Sequence, residues 1–259
     1  MSGYSYSTGE KQWADRMRAM FGSIARRYDL LNHLLSLNTD RYWRKVCVRE
    51  VLRRTADAGP RVLDLGCGTA DLSLAFPASS RVFAGDFSLP MLKMAKRKIR
   101  GAGIGRCVAL LAADALMLPF EDAVFDAVVS AFVVRNLANR AAGVSEMKRV
   151  LRPGGLVGIL DFGMPAMPLL GGLYRFYFFQ VLPRIGRLVS EVSDAYRYLP
   201  QSVGEFPGPE ALVRELEQAG FLEVQASSLT GGIAVLWTGR VPGGGFPGPA
   251  VPACRPRSL

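Results

Sequence analysis

From residue 61 to 238 the chain alternates short apolar runs with amphipathic stretches, and this alternation restricts the fold more than any other feature. The runs are 61–65 (RVLDL), 81–84 (RVFA), 108–112 (VALLA), 127–134 (AVVSAFVV) and 156–161 (LVGILD). Each is short and rich in leucine or β-branched residues, which predicts strands. Helical spacing falls on 70–76, 88–101, 141–151 and 209–220. In 88–101, Met91, Leu92, Ala95 and Ile99 share one side, Ser88 is placed to cap, and Gly101 to stop. Strands alternating with helices predict a parallel, doubly wound α/β sheet. The unbroken run AVVSAFVV suits a strand covered on both faces. Two last runs, 222–229 and 233–238, joined by a Thr-Gly-Gly turn, predict a closing antiparallel hairpin.

A chain of 259 residues is long enough for one large domain with a full core. Residues 1–12 are polar and expected to be flexible, and 13–240 form a single domain. Two parts of that domain stand outside the alternation: helices over 13–55 and a lid-like insertion over 164–206. Both are expected over the carboxyl ends of the strands, where ligands bind in such sheets. The tail 241–259 is dense in proline and glycine and is read as disordered. The first residues lack the apolar core of a secretory signal, and no run is long enough to span a bilayer. Cys47, Cys67, Cys107 and Cys254 form no Cys-x-x-Cys pair and fit no zinc spacing, so a reducing, cytoplasmic setting is expected. The lone histidine, His33, argues against a His-rich metal site or a Ser-His-Asp triad, so no metal is expected.

The run 61–65 ends in Asp64-Leu65-Gly66-Cys67-Gly68-Thr69. Glycines at 66 and 68 let the backbone approach a ligand closely. If a helix follows at 70–76, its first amides favour an acidic group there. Alone, this pattern is equally a tight strand-to-helix turn. Asp86, followed by Phe87, ends the second run 18 positions after Gly68, where an acid reaches ribose hydroxyls in nucleotide folds. The dinucleotide fingerprint requires a third glycine, and that position holds Asp71. Asp114 and Ala115 follow the third run, where an acid and the next amide can read an adenine edge.

Taken in order, DLGCGTAD, GDFS, ADALMLPF, FDAVVS and RVLRPGG resemble the motifs of class I S-adenosylmethionine-dependent methyltransferases over about residues 60–162. The resemblance implies a Rossmann-like, mostly parallel seven-stranded sheet closed by an antiparallel hairpin, with S-adenosyl-L-methionine as cofactor. It narrows with FGSIARRYDLLNHLLSLNTDRYWRK from Phe21, VVRNLANR from Val133, VLPRIGRLVSEVSDAYRYLPQSVGEFP from Val181 and the ending AGFLEVQASSLTGGIAVLWTGR. These are similar to the ubiquinone/menaquinone biosynthesis C-methyltransferase family. The likeness implies ring-carbon methylation of a polyprenylated quinol, either demethylmenaquinol or the ubiquinone precursor.

Such a reaction needs an electron-rich ring, an activated methyl group, alignment of the two, and management of one proton. Tyr28, Arg135 and Asn136 fall in family-matching motifs and are the catalytic candidates. Arg135 can stabilise a forming phenolate, and Tyr28 can hydrogen-bond the same oxygen. Tyr28 is also readable as a packed aromatic, and Arg135 as a sheet-end ion pair. Asp64, Gly66, Gly68, Thr69, Asp86, Phe87, Asp114, Ala115 and Ser130 are the cofactor candidates. The family places a serine four residues before the motif arginine. Here that residue is Ala131 with Ser130 beside it, so either Ser130 takes over or the contact is lost.

The net charge of +10 and mean hydropathy of +0.17 are compatible with peripheral contact at an anionic membrane. The aromatic stretch 169–182 (LLGGLYRFYFFQVL) reads as a core helix of the insertion, or as a greasy lid for a prenyl tail. Nucleic acid is disfavoured: the basic residues are spread along the chain, and no base-methylating loop follows the fourth run. The rival readings are a methyltransferase for another small molecule or RNA, and a non-catalytic accessory protein on the same fold. A homodimer is compatible with the sequence.

Overall fold

The computed structural model describes residues 4–25, 28–29, 36, 38–55, 59–102, 108–165, 171–172, 176, 180, 198 and 201–243. His33, Cys107, Cys254, most of the aromatic stretch at 169–182 and the tail from 244 lie outside the described residues.

Seven strands form one sheet: β1 (Arg61–Leu65), β2 (Arg81–Asp86), β3 (Val108–Ala112), β4 (Phe125–Ala131), β5 (Leu151–Phe162), β6 (Leu222–Leu229) and β7 (Ala234–Arg240). Their order is β3-β2-β1-β4-β5-β7-β6. The first five pair in parallel, and β7 runs antiparallel to both neighbours. The winding reverses between β1 and β4, which opens a crevice at their carboxyl ends.

Five helices have described bounds: α1 (Thr8–Ile24), α2 (Thr39–Arg54), α3 (Leu89–Gly101), α4 (Arg140–Val150) and α5 (Pro209–Gln218); α2 to α5 pack on this sheet, and α1 packs on α3. Neighbouring residues of a strand point to opposite faces. Val62, Ala127 and Val129 therefore meet Trp43, Cys47 and Val51 of α2 on one face. Leu63, Val128 and Val157 meet Val144 and Met147 of α4 and Leu212 and Leu216 of α5 on the other. Trp43 is completely buried, packs edge-on against Phe162, and donates from Nε1 to Thr230 Oγ1 at 2.8 Å. Burial of such a ring stabilises by about 3 kcal/mol or more, and it ties α2 to the β6–β7 connection.

Two expected elements differ. The helix expected over 70–76 is a short 3-10 turn, Ser73–Ala75. Ala70 takes a left-handed φ of 71°, which interrupts helix initiation, and Phe76 is held extended ahead of Pro77. The glycine turn thus does not lead into an α-helix N-terminus, and a helix dipole contributes nothing there. The strand expected over 127–134 ends at Ala131, because Phe132 takes φ 63° and turns the chain out of the ladder. At the other end, α1 starts at Thr8, inside the stretch expected to be flexible. A reciprocal cap sets it: Ser7 Oγ accepts from the Glu10 amide, and the Glu10 carboxylate accepts from the Ser7 amide.

Candidate active site

The crevice is a cleft of about 720 Å³, mouth included, and residues of the turns after β1, β2, β3 and β4 line it. Tyr6, Ala14 and Phe21, from α1 and the residues before it, close one side. Of the expected site residues, Tyr28, Gly66, Gly68, Asp86, Phe87, Asp114, Ala115 and Asn136 come together on its wall.

Local chemistry places each group. The Gly66 and Cys67 amides donate to the Gly85 carbonyl at 2.8 and 3.0 Å, clipping the turn to β2. Asp86 Oδ2 accepts from the Gly68 amide and Oδ1 from the Ser88 amide, both at 2.8 Å. Burial raises the Asp86 carboxyl above its ordinary value, against the pull of those amides. Asp114 accepts from Tyr6 Oη at 2.7 Å and from the Leu116 amide at 3.0 Å. The Arg18 guanidinium lies 5.3 Å from the centre of the Phe87 ring. Gly68 has φ 54°, and a Cβ there would stand 3.4 Å from the Tyr28 ring. That distance is ordinary contact, so it is the left-handed backbone, not the approach of Tyr28, that favours glycine here.

A smaller cavity adjoins the cleft through Tyr28 and Gly66, lined also by Arg44, Asp64, Thr69 and Ala131. Asp64 accepts from Ser73 Oγ at 2.5 Å and is fully buried, which raises its carboxyl to about 7. Thr69 Oγ1 donates to Asp29 at 2.5 Å and accepts from Lys98 Nζ at 3.1 Å. Ser130 is not on the cleft wall; its hydroxyl donates to the Leu65 carbonyl at 2.9 Å. Arg135 is not on that wall either. It forms a buried ion pair with Asp161, packs on Phe162, and lines a neighbouring hollow with Trp13, Arg140 and Tyr198.

Several site residues carried no sequence signal. Tyr6 lies in a polar leader, and Lys98 is one of many basic residues on α3. Asp29 stands next to Tyr28 in the matching motif, which is the one sequence feature that marks it.

The strand order and the acids at the ends of β2 and β3 define the class I S-adenosylmethionine-dependent methyltransferase fold. Solved structures share it. A SAM-dependent methyltransferase from Aquifex aeolicus superposes with TM-score 0.54 at 19% identity, covering 76% of this chain and 92% of its own. Phosphoethanolamine N-methyltransferase 2 of Haemonchus contortus, solved with S-adenosyl-L-methionine, gives 0.54 at 17%, covering 75% and 52%. At the sequence level, residues 9–240 match the model of the ubiE/COQ5 methyltransferase family, and the chain belongs to that family. Among its relatives, the ubiquinone/menaquinone biosynthesis C-methyltransferase of Geobacter sp. (strain M21) is 42% identical, over 90% of this chain and 99% of its own. The demethylmenaquinone methyltransferase of Thermus thermophilus is 45% identical, over 86% and 100%.

Proposed function

We propose that this methyltransferase transfers the methyl group of S-adenosyl-L-methionine to a ring carbon of a reduced, polyprenylated quinone precursor, demethylmenaquinol or its ubiquinone-pathway equivalent. The observation that carries this reading is the family match over residues 9–240, which takes in α1 and the cleft mouth as well as the cofactor turn.

The residues fit the cofactor. Asp86, on the cleft wall and held by two amides, suits a pair of ribose hydroxyls. Asp114 and Ala115 suit an adenine edge, and the glycine turn with the Arg44, Asp64 and Thr69 cavity suits the methionine end. When bound, the cofactor supplies an electrophilic methyl group on sulfonium sulfur. The chain supplies alignment and handles the phenolic proton. Deprotonation of a ring hydroxyl sends electron density to the adjacent carbon. That carbon would accept the methyl group, loss of the ring proton would restore the aromatic ring, and the phenolate would take one proton back, so that one proton leaves overall. Tyr28 and Asn136 face this event across the cleft and can hydrogen-bond the phenolate oxygen.

Peripheral membrane contact by a cytoplasmic enzyme is part of the proposal. Arg41, Lys45, Arg49 and Arg53 are exposed at every fourth position of α2, a cationic ridge suited to an anionic leaflet. Among the described residues no helix is long and apolar enough to cross a membrane.

The test is transfer of labelled methyl to reduced demethylmenaquinol and to the reduced ubiquinone precursor, with Asn136→Ala as control. Label in the ring of one acceptor, slowed but measurable in the control, supports the reading and names the branch. Cofactor binding with transfer to neither acceptor sinks the quinol assignment and moves the search to other small phenols and RNA.

A further inference from the structure

We infer that Tyr198 is a positioning residue for the cleft: it fixes the carboxamide of Asn136 so that an N–H, rather than the carbonyl oxygen, faces a bound acceptor. The inference rests on the proposed function, in which that acceptor is a ring oxygen of the quinol.

Asn136 ends the 3-10 turn Val134–Asn136 that follows β4. Tyr198 Oη donates to its Oδ1 at 2.8 Å, and its Nδ2 donates to the Phe132 carbonyl at 3.1 Å. A carbonyl can only accept, so Phe132 demands the nitrogen on its side, and the phenol takes the oxygen on the other. The two contacts select the same orientation of the amide. The backbone is fixed as well, because Trp13 Nε1 donates to the Asn136 carbonyl at 3.0 Å. Among the described residues nothing takes the second N–H of Nδ2, and Asn136 stands on the cleft wall. A donor held there binds a phenolate oxygen more strongly as its charge develops. A flipped amide would present a carbonyl to that same oxygen, and the two would repel.

Tyr198 is not on the cleft wall. It lines the neighbouring hollow, its ring 6.1 Å from that of Trp13, and reaches the cleft through its hydrogen bond to Asn136. Burial pushes its phenol up to about 12, against the pull of Arg135 and a hydrogen bond from Ser202. The phenol therefore stays protonated at neutral pH. With Ser202 supplying a donor to its oxygen, its own proton goes to Asn136.

Tyr198→Phe keeps the ring and removes the hydroxyl. The expected result is a fall of about tenfold in kcat for the quinol, the scale of one lost orienting hydrogen bond. KM for the quinol and Kd for the cofactor should stay within about twofold. In an Asn136→Ala background, Tyr198→Phe should cost nothing more. Unchanged kcat in the single variant, or losses that multiply in the double variant, would overturn the inference. A second readout needs no turnover. The side-chain NH2 cross-peaks of Asn136, assigned by their absence in Asn136→Ala, should shift or broaden in Tyr198→Phe. Unmoved peaks would overturn the inference too. If the wild-type protein methylates neither quinol, the proposed function fails, and the cross-peaks still decide whether Tyr198 orients Asn136.

Discussion

Lys98 Nζ stands 2.6 Å from Asp29 Oδ2 and thereby fastens α3 to the short segment that carries Tyr28. The same ammonium reaches Asp71 at 2.6 Å, and Thr69 completes the cluster by donating to Asp29. Four side chains from three separate parts of the chain thus hold Tyr28 against the glycine turn.

Cutting this fastening should loosen the cleft more than the fold. Lys98 and Asp29 are each about a quarter exposed, at 28% and 26%, so solvent screens their attraction and the pair contributes only about 1 kcal/mol. Lys98→Met is therefore expected to lower Tm by only a few degrees. It should weaken cofactor binding by about fivefold, as Tyr28 loses its anchor. Titration calorimetry of Lys98→Met and Lys98→Arg checks this. Arginine should restore most of the affinity, and wild-type affinity in the methionine variant would mean that the cluster does not position Tyr28.

Gly66 carries two constraints at once. Its φ is 70°, and a Cβ there would come within 2.5 Å of Val133 Cγ2. Gly66→Ala should cost about 1–2 kcal/mol in backbone strain and a further 1–3 in overpacking. Trimming the partner separates the two costs. Gly66→Ala with Val133→Ala should recover the steric part and leave the strain, as read by denaturant midpoints. A double variant no more stable than Gly66→Ala alone would show that the clash is not what limits the turn.

The Arg135–Asp161 pair changes how loss of Arg135 must be read. Its side chains are 5% and 0% exposed, and burial raises the Asp161 carboxyl although Arg135 pulls it down. Arg135→Ala strands a buried carboxylate and should destabilise the fold by about 3–5 kcal/mol. Replacing both partners, as Arg135→Met with Asp161→Leu, should regain most of that stability. Thermal unfolding gives the answer, and Arg135→Ala melting like the wild type would contradict the buried pair. Activity lost in Arg135→Ala but still lost in the stable double variant would assign Arg135 a part in the chemistry.

The sheet was legible because each strand carries its own apolar signal. The expected ranges 61–65, 108–112 and 222–229 coincide with β1, β3 and β6. Legibility failed where one residue adopts a left-handed backbone, at Ala70 and Phe132, since no pattern of apolar residues encodes a positive φ on an alanine or a phenylalanine. In the site, Asp86 was legible from its spacing to the glycine turn and Asp114 from its place just after the third apolar run, and both stand on the cleft wall. Tyr6 and Tyr198 were not, because their partners Asp114 and Asn136 lie 108 and 62 positions away. The motif offered Arg135 either to a forming phenolate or to a sheet-end ion pair, and the structure shows the ion pair, with Asp161 near the end of β5; that partner was readable only as the end of a strand.

Asp64 makes stability depend on pH in a direction opposite to that of a salt-bridged carboxylate. Burial raises its carboxyl from 3.8 to about 7, while Arg44 and Ser73 oppose the shift. Between these two values the unfolded chain has lost the proton and the folded chain still holds it. The stabilisation is therefore complete below pH 3.8 and is lost as pH rises through about 7. A gap of this size corresponds to at most about 4 kcal/mol. Asp64→Asn keeps an acceptor for Ser73 and cannot ionise. Without cofactor, the variant should gain stability over the wild type as pH rises from 5 to about 7, and the gain should level off above that. Urea midpoints at four pH values decide it: parallel curves for the two proteins would mean that Asp64 is ionised in the fold throughout, its charge balanced by Arg44.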